Sequence, residues 1–314
     1  MVSEEFVVSL YRILLDRTPE DPDAIVRHCQ THDESELLRI FLGSDEFLRR
    51  KLIPLPVGRH LHQDSVPVAV TASPEELDRM LEGIAEKWRR YGENEPHWSV
   101  IVSPDFLSTN IAQTIDRFYA SGRGNVELAL RAVRRAGADP AKFKTAVDFG
   151  CGVGRLTLAL AGRVEFVTGI DISPGHLRLA RERARETGIA NVEFEAISTI
   201  SEIMMLAKTD FIISIIVLQH NPPPVIAELL RMLLRLLNPG GIAYIQVPTF
   251  IDDYAFDIDS YLAGDKVDME MNSLPQRNVF EIIHEEGCIP LEVREDGWTT
   301  ELHMISNTFL IRKM

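Results

Sequence analysis

The chain has 314 residues, enough for roughly two domains at about 150 residues each. Hydrophobic residues make up 45% and charged residues 25%, which is globular composition and excludes wholesale disorder. The formal charge of −14 argues against nucleic acid as a partner, because an acidic surface repels phosphates and the densest basic stretch, Arg178 to Arg185, is interleaved with Glu182.

The first predicted element is a helix with Phe6, Leu10 and Leu14 on one face and Tyr11 and Leu15 beside them. Ser3 is placed to cap it, Glu4 and Glu5 suit its first turn, and Pro19 and Pro22 punctuate its end. Asp33 opens a helix carrying Leu37, Leu38, Phe41 and Leu42, with Gly43 placed to end it. Ser44 starts a last short helix through Phe47 and Leu48. Residues 1–52 thus read as a small all-helical module. Residues 53–75, with Pro54, Pro56 and Pro67 and little periodicity, read as a linker.

The runs Leu10-Tyr11-Arg12, Leu15-Asp16-Arg17-Thr18-Pro19 and Phe41-Leu42-Gly43-Ser44-Asp45-Glu46-Phe47 resemble a helical module fused to bacterial glycosyltransferases and methyltransferases of surface-polysaccharide pathways. The resemblance leaves two readings of residues 1–52, a docking element for a partner protein and a plain helical appendage.

Residues 76–139 form a helical lead-in, with Leu77, Met80, Leu81 and Ile84 in one stripe and Leu128, Leu130 and Val133 in another. From 140 to 314 short apolar strands alternate with helices. Strands are predicted at Thr145–Phe149, Phe166–Asp171, Val192–Glu195, Phe211–Leu218 and Ile242–Val247. Helices fall at Val153–Ala161, Pro174–Glu186, around Ser201–Leu206 and at Pro222–Leu237. Alternation of this kind implies a parallel sheet covered on both faces, a doubly wound α/β fold. The run Phe211–Leu218 is far short of the ~20 apolar residues that span a bilayer, so no membrane span is expected. The start of the chain lacks a basic region followed by an apolar stretch. Cys29, Cys151 and Cys288 form no CxxC pair. Both features point to a reducing cytoplasm, without a disulfide framework or structural zinc.

The most informative segment is Asp148-Phe149-Gly150-Cys151-Gly152-Val153-Gly154-Arg155, which leaves a strand and opens a helix. Glycines there let the backbone turn tightly against a ligand, and helix N–H groups favour negative charge. The dinucleotide fingerprint G-x-G-x-x-G puts its third glycine where this chain has Arg155, so a nicotinamide cofactor is disfavoured. Asp171 ends the next strand, 21 residues after Gly150, where an acid accepts hydrogen bonds from ribose hydroxyls. A plain helix-capping role for Asp171 is the rival reading. Cys151 tempts a redox reading, but without a resolving cysteine a small side chain facing the core is preferred.

With these residues the chain resembles the class I S-adenosylmethionine-dependent methyltransferases from about Lys144 to Met314. Asn238-Pro239-Gly240-Gly241, a helix near Val279–Glu286 and strands at Pro290–Arg294 and Asn307–Ile311 fit the family's closing elements. The resemblance implies a Rossmann-like seven-stranded sheet of order 3-2-1-4-5-7-6, and S-adenosyl-L-methionine as cofactor. Phe118-Tyr119-Ala120-Ser121-Gly122, Leu274-Pro275-Gln276-Arg277 and Glu295-Asp296-Gly297-Trp298 resemble a bacterial, polysaccharide-associated subset. Carried over residue by residue, Asp148, Gly150, Cys151, Gly152 and Gly154 form the turn at the methionine part, with Asp148 on its ammonium. Asp171 is the ribose acid and Ile172 the wall under the adenine. Ser198 stands where many members have Asp or Asn reaching the adenine, and Tyr119 is a candidate lid.

Methyl transfer is a direct displacement, so orientation supplies most of the rate, and a hydroxyl acceptor also needs a base. The turn Gln219-His220-Asn221-Pro222 lies at the ligand-binding edge of such sheets, which makes His220 the catalytic candidate. A structural histidine is its rival. Gln219 and Asn221 supply no carboxylates, so metal independence is expected.

An insert at 249–273 interleaves Asp252, Asp253, Asp257, Asp259, Asp265, Asp268 and Glu270 with Tyr254, Phe256 and Tyr261. Tyr254, Tyr261 and Trp298 are candidate substrate contacts, suited to a sugar, against a solvated loop anchored by its aromatics. The reading is a cytoplasmic methyltransferase whose small-molecule or glycan acceptor carries a sugar hydroxyl or amine. The alternatives are a methyltransferase of another metabolite or of a protein, and a cofactor-binding scaffold without transfer activity.

Overall fold

A computed structural model describes residues 2–15, 17–44, 46–47, 67–264, 268–299 and 303–314. Two compact units cover 1–65 and 66–314. In the first unit, α1 (Glu4–Leu15), α2 (Pro22–Cys29) and α3 (Glu34–Leu42) bury Val7, Leu10, Tyr11, Leu15, Leu37 and Phe41 in one cluster. Helix α2 escapes the sequence reading. Pro22 looks like a terminator, yet it occupies the first turn behind Asp21, whose side chain accepts the Ala24 N–H at 2.7 Å. Gly43 ends α3 with ordinary right-handed dihedrals, φ −85°, so no left-handed cap is needed there. Most of the expected linker, 53–66, and Asp45 and Leu48 of the expected short helix lie outside the described residues.

The second unit opens with Pro67 to Ser73, where Val68 bridges Phe256 and the Ala69 N–H donates to the Phe256 carbonyl at 3.0 Å. Helix α4 (Pro74–Asn94) follows, begun by a Ser73–Glu76 capping box, and then α5 (Ile111–Arg135). The alternating part runs β1 (Thr145–Phe149), α6 (Arg155–Leu160), β2 (Phe166–Asp171), α7 (Pro174–Glu186), β3 (Val192–Ala196), α8 (Ile200–Ile203), β4 (Thr209–Ser214), α9 (Pro223–Arg235) and β5 (Leu237–Ile251). It closes with α10 (Ile258–Ala263), α11 (Gln276–Glu285), β6 (Cys288–Glu295) and β7 (Met304–Lys313).

The sheet order is β3-β2-β1-β4-β5-β7-β6, with β7 antiparallel to both neighbours, as the family resemblance implies. Successive strand residues face opposite layers. Val147, Ile212 and Ala243 pack under α4, α9 and α11, whereas Ala146, Phe211 and Ile242 pack under α5 and α6. Burial on both sides explains the unbroken apolar runs.

Strand β4 is shorter than its apolar run suggests. It ends at Ser214, where pairing with β5 stops. Ile216 then takes a left-handed φ of 60° while its N–H donates to the Gln246 side chain at 2.9 Å. Leu218–His220 forms a 3-10 turn. Ile215, Ile216 and Val217 therefore belong to a turn at the carboxyl edge of the sheet, which brings them to the cleft, while Leu218 returns to the core.

Candidate functional site

The turn between β1 and α6 is the centre of a cleft at the carboxyl ends of β1, β2 and β4. Gly150, Gly152 and Gly154 all have left-handed φ, at 72°, 53° and 82°. A Cβ at Gly150 would lie 2.3 Å from Val217 Cγ2, and one at Gly152 would lie 2.6 Å from Val100 Cγ2, so both positions exclude any side chain. The Gly150 and Cys151 N–H groups donate to the Ile170 carbonyl at 2.8 and 2.9 Å, which locks the turn against β2.

Asp171 completes that lock. One carboxylate oxygen accepts the Gly152 N–H and the other accepts the Ser173 N–H, both at 2.8 Å. Each oxygen keeps a second lone pair, so two further donors can be taken from the cleft. Asp148 is 1% exposed and accepts the Thr157 hydroxyl at 2.6 Å. Burial raises its carboxyl to about 6, with the Thr157 bond and the charge of Arg155 opposing that rise.

Asp148, Gly150, Cys151, Gly152, Asp171, Ile172 and Ser198 all line this one cleft, whose empty space is about 1080 Å³ with its open mouth included. Gly154 supports it from one layer back, beside Ala180 and Phe194. The Cys151 side chain packs with Leu177, Ala180 and Phe194, and burial drives its thiol well above the ordinary range, which fits a core residue rather than a redox group.

The cover comes from residues that carry no local signal in the sequence. Helix α4 contributes Leu81, Ile84 and Trp88, and the segment after it contributes Ser99 and Val100. His176 in α7 ties that segment down, because its Nε2–H faces the Pro96 carbonyl at 3.1 Å and Ser99 Oγ at 2.9 Å. Burial lowers the His176 pKa, and the ring also lines the cleft. Arg155 is a further unanticipated lining residue, 6% exposed, its guanidinium held by α5.

Other expected residues lie elsewhere. Tyr119 is not on the cleft wall. Its hydroxyl donates to the Val153 carbonyl at 3.2 Å, and its ring packs with Phe106, Phe118 and Arg183, so it braces the turn and α4 supplies the lid. His220 is 8% exposed, also off the wall, with both nitrogens engaged. Because a carbonyl only accepts, Nδ1–H donates to the Glu270 carbonyl at 3.0 Å, which leaves Nε2 to face the Gln219 amide at 3.4 Å. Burial lowers the His220 pKa and keeps the ring neutral.

Tyr254 donates its hydroxyl to Asn272 Oδ1 at 2.7 Å, and Tyr261 donates to Glu270 Oε1 at 3.0 Å, an oxygen that also meets Lys87 Nζ at 2.6 Å. Both rings pack on the core, so they anchor the insert onto α4 and do not reach the cleft. Trp298 is partly buried against the core cluster under α5 and α6 and does not line the cleft. No group of three or more potential metal ligands occurs among the described residues.

Residues 146–241, which span β1 through the start of β5, match the family model described as a methyltransferase domain. Among curated proteins, the ubiquinone biosynthesis O-methyltransferase of Pseudomonas paraeruginosa is 37% identical over 105 residues, 32% of this chain and 43% of that protein. The protein of the same description from Paracidovorax citrulli is 32% identical over 107 residues, 33% of this chain and 44% of that protein. The chain thus spans less than half the length of these relatives. Among solved structures, magnesium protoporphyrin IX methyltransferase from Synechocystis PCC 6803 with bound SAM is similar at a TM-score of 0.50 and 18% identity. That likeness covers 74% of this chain and 97% of the other, and it is one of fold.

Proposed function

We propose that this protein is an S-adenosylmethionine-dependent methyltransferase with a small-molecule acceptor. The observation that carries the reading is Asp171 at the end of β2, bonded to the Gly152 N–H inside a cleft that also holds Asp148. In this reading the ribose hydroxyls donate to Asp171, the adenine lies between Ile172 and the Ser198 segment, and the donor's ammonium meets Asp148. The bound donor would supply a methyl group on a sulfonium. An acceptor lone pair would form the new bond to the methyl carbon as the S–C electrons pass to sulfur, and the acceptor's proton would leave to solvent water at the cleft mouth. The cleft's part is to hold the two reactants in line and dry.

The walls support an apolar acceptor. Leu81, Ile84, Trp88, Val100, Ile200 and Leu229 face the same space, and the curated relatives are named for ubiquinone biosynthesis. A sugar hydroxyl or amine of surface-polysaccharide synthesis has less support, since Tyr254, Tyr261 and Glu270, which helped suggest it, are spent on the insert's own anchoring.

Calorimetry with S-adenosylmethionine and assay of S-adenosylhomocysteine release with phenolic acceptors test the reading together. Asp171→Ala is expected to weaken donor binding by about 1–3 kcal/mol, the loss of a charge-assisted bond. Unchanged affinity removes the assignment of Asp171. Donor binding without turnover on any acceptor favours the scaffold alternative.

A further inference from the structure

We propose that Arg155 receives the α-carboxylate of the donor, so that Asp148 and Arg155 together read its amino-acid end as a zwitterion. The inference rests on the donor reading above and names the group that recognises the donor's second charge. Arg155 leaves the Gly-rich turn at the start of α6 and lines the cleft alongside Asp148.

Its guanidinium is fixed from one side only. Nη1 donates to Asn125 Oδ1 at 2.5 Å and to Ser121 Oγ at 3.2 Å, both on α5. Helix α5 comes this near because Gly122 has no side chain; a Cβ there would lie 2.2 Å from the Arg155 carbonyl oxygen. Nε–H is buried and has no hydrogen-bond partner, and no bond to Nη2 occurs among the described residues. Nη2 is therefore the donor left to take a carboxylate by a charge-assisted bond; the Nε–H beside it on the same edge is closed off and becomes a second donor only where the bound ligand shifts the side chain.

A buried donor without a partner costs stability, and native chains rarely keep one unless something arrives to satisfy it. Asp148 does not do so, because its hydrogen bond goes to Thr157. No lysine and no second arginine lines the cleft among the described residues, which leaves Arg155 as its cation there. A ligand presenting an ammonium to Asp148 presents its carboxylate within the same few ångströms, since both groups sit on one carbon.

The test compares two ligands of the full chain by calorimetry: S-adenosylmethionine, and its decarboxylated form, which lacks only the carboxylate. Wild type is expected to prefer the first by about 10–100-fold, the span of a charge-assisted pair. Arg155→Met is expected to erase that preference by weakening S-adenosylmethionine far more than the decarboxylated ligand, since the charge of Arg155 acts on Asp148 for both ligands but its hydrogen bond goes only to the carboxylate. Arg155→Lys keeps the cation but not the fork and is expected to fall between. Equal weakening of both ligands, or a wild type that does not discriminate, overturns the assignment. Should Arg155→Met not fold, an undiminished preference in Arg155→Lys overturns it instead. If wild type binds neither ligand, nor 5′-methylthioadenosine, the donor reading itself fails. If it binds methylthioadenosine and both longer ligands equally, only the Arg155 assignment fails.

Discussion

Asp148 shows how one buried carboxyl links stability to binding. Burial raises it from 3.8 to about 6, so between those values the folded chain holds a proton that the unfolded chain has released. Stability from this group is therefore greatest at low pH and declines as pH rises through that window, by up to roughly 3 kcal/mol in the empty protein. The half-buried His97, lowered by desolvation to about 4, acts in the opposite sense, so the wild-type curve alone does not isolate Asp148. The difference between wild type and Asp148→Asn does. A bound ammonium favours the carboxylate, so donor affinity is expected to rise several-fold from pH 5 to 7 in wild type and to stay flat and weak in Asp148→Asn. Titration calorimetry across that range reads both, and a flat wild-type profile would remove Asp148 from the donor site.

At the scale of elements, the insert and α4 form one cover, joined by Lys87 with Glu270, by Tyr261 with Glu270 and by the ring of His220 against Trp88 at 5.3 Å. A buried chain backs it: the Ile216 N–H donates to Gln246, Gln246 donates to the Gln219 side-chain oxygen and to Ser306, and the Gln219 amide faces His220. This chain assigns His220 to holding the insert. His220→Ala is expected to cost about 1–3 kcal/mol in urea unfolding, for a buried ring with its bonds. Turnover should fall less than about ten-fold; a loss of ~10²–10⁴ at unchanged stability would restore a general base.

The same contrast explains what the sequence made legible. The Gly-rich turn and Asp171 are local features, where left-handed backbone and strand-end position follow from residue types a few places apart. The cover is not local. Trp88 and Val100 reach the cleft only because α4 packs across the helices beneath it, and nothing in their neighbours signals that. Tyr254 and Tyr261 lie off the cleft, a placement the sequence does not reveal because an anchoring aromatic and a ligand-stacking one have the same composition. The end of β4 was hidden because Ile215 and Ile216 are apolar for the cleft's sake rather than for a strand's.

In the whole molecule two cores share no residue. The cluster of the first unit draws only on residues up to Phe47, and every cluster of the second unit lies at Val68 or beyond. Among the described residues, those lining the cleft fall between Leu81 and Leu229. A unit with its own buried core and a complete site carries its own stability. A chain of residues 66–314 is therefore expected to unfold in a single cooperative transition and to bind S-adenosylmethionine within about two-fold of the full chain, since the described core and cleft residues of the second unit all lie within it. Thermal melting and calorimetry on the shortened chain measure this. A large loss of donor affinity with the melting transition intact would mean that residues 1–65 supply something to the cleft that its own lining lacks. An unchanged affinity would confine the helical module to work outside the donor site, and the search for its role to what the full chain binds and the shortened one does not.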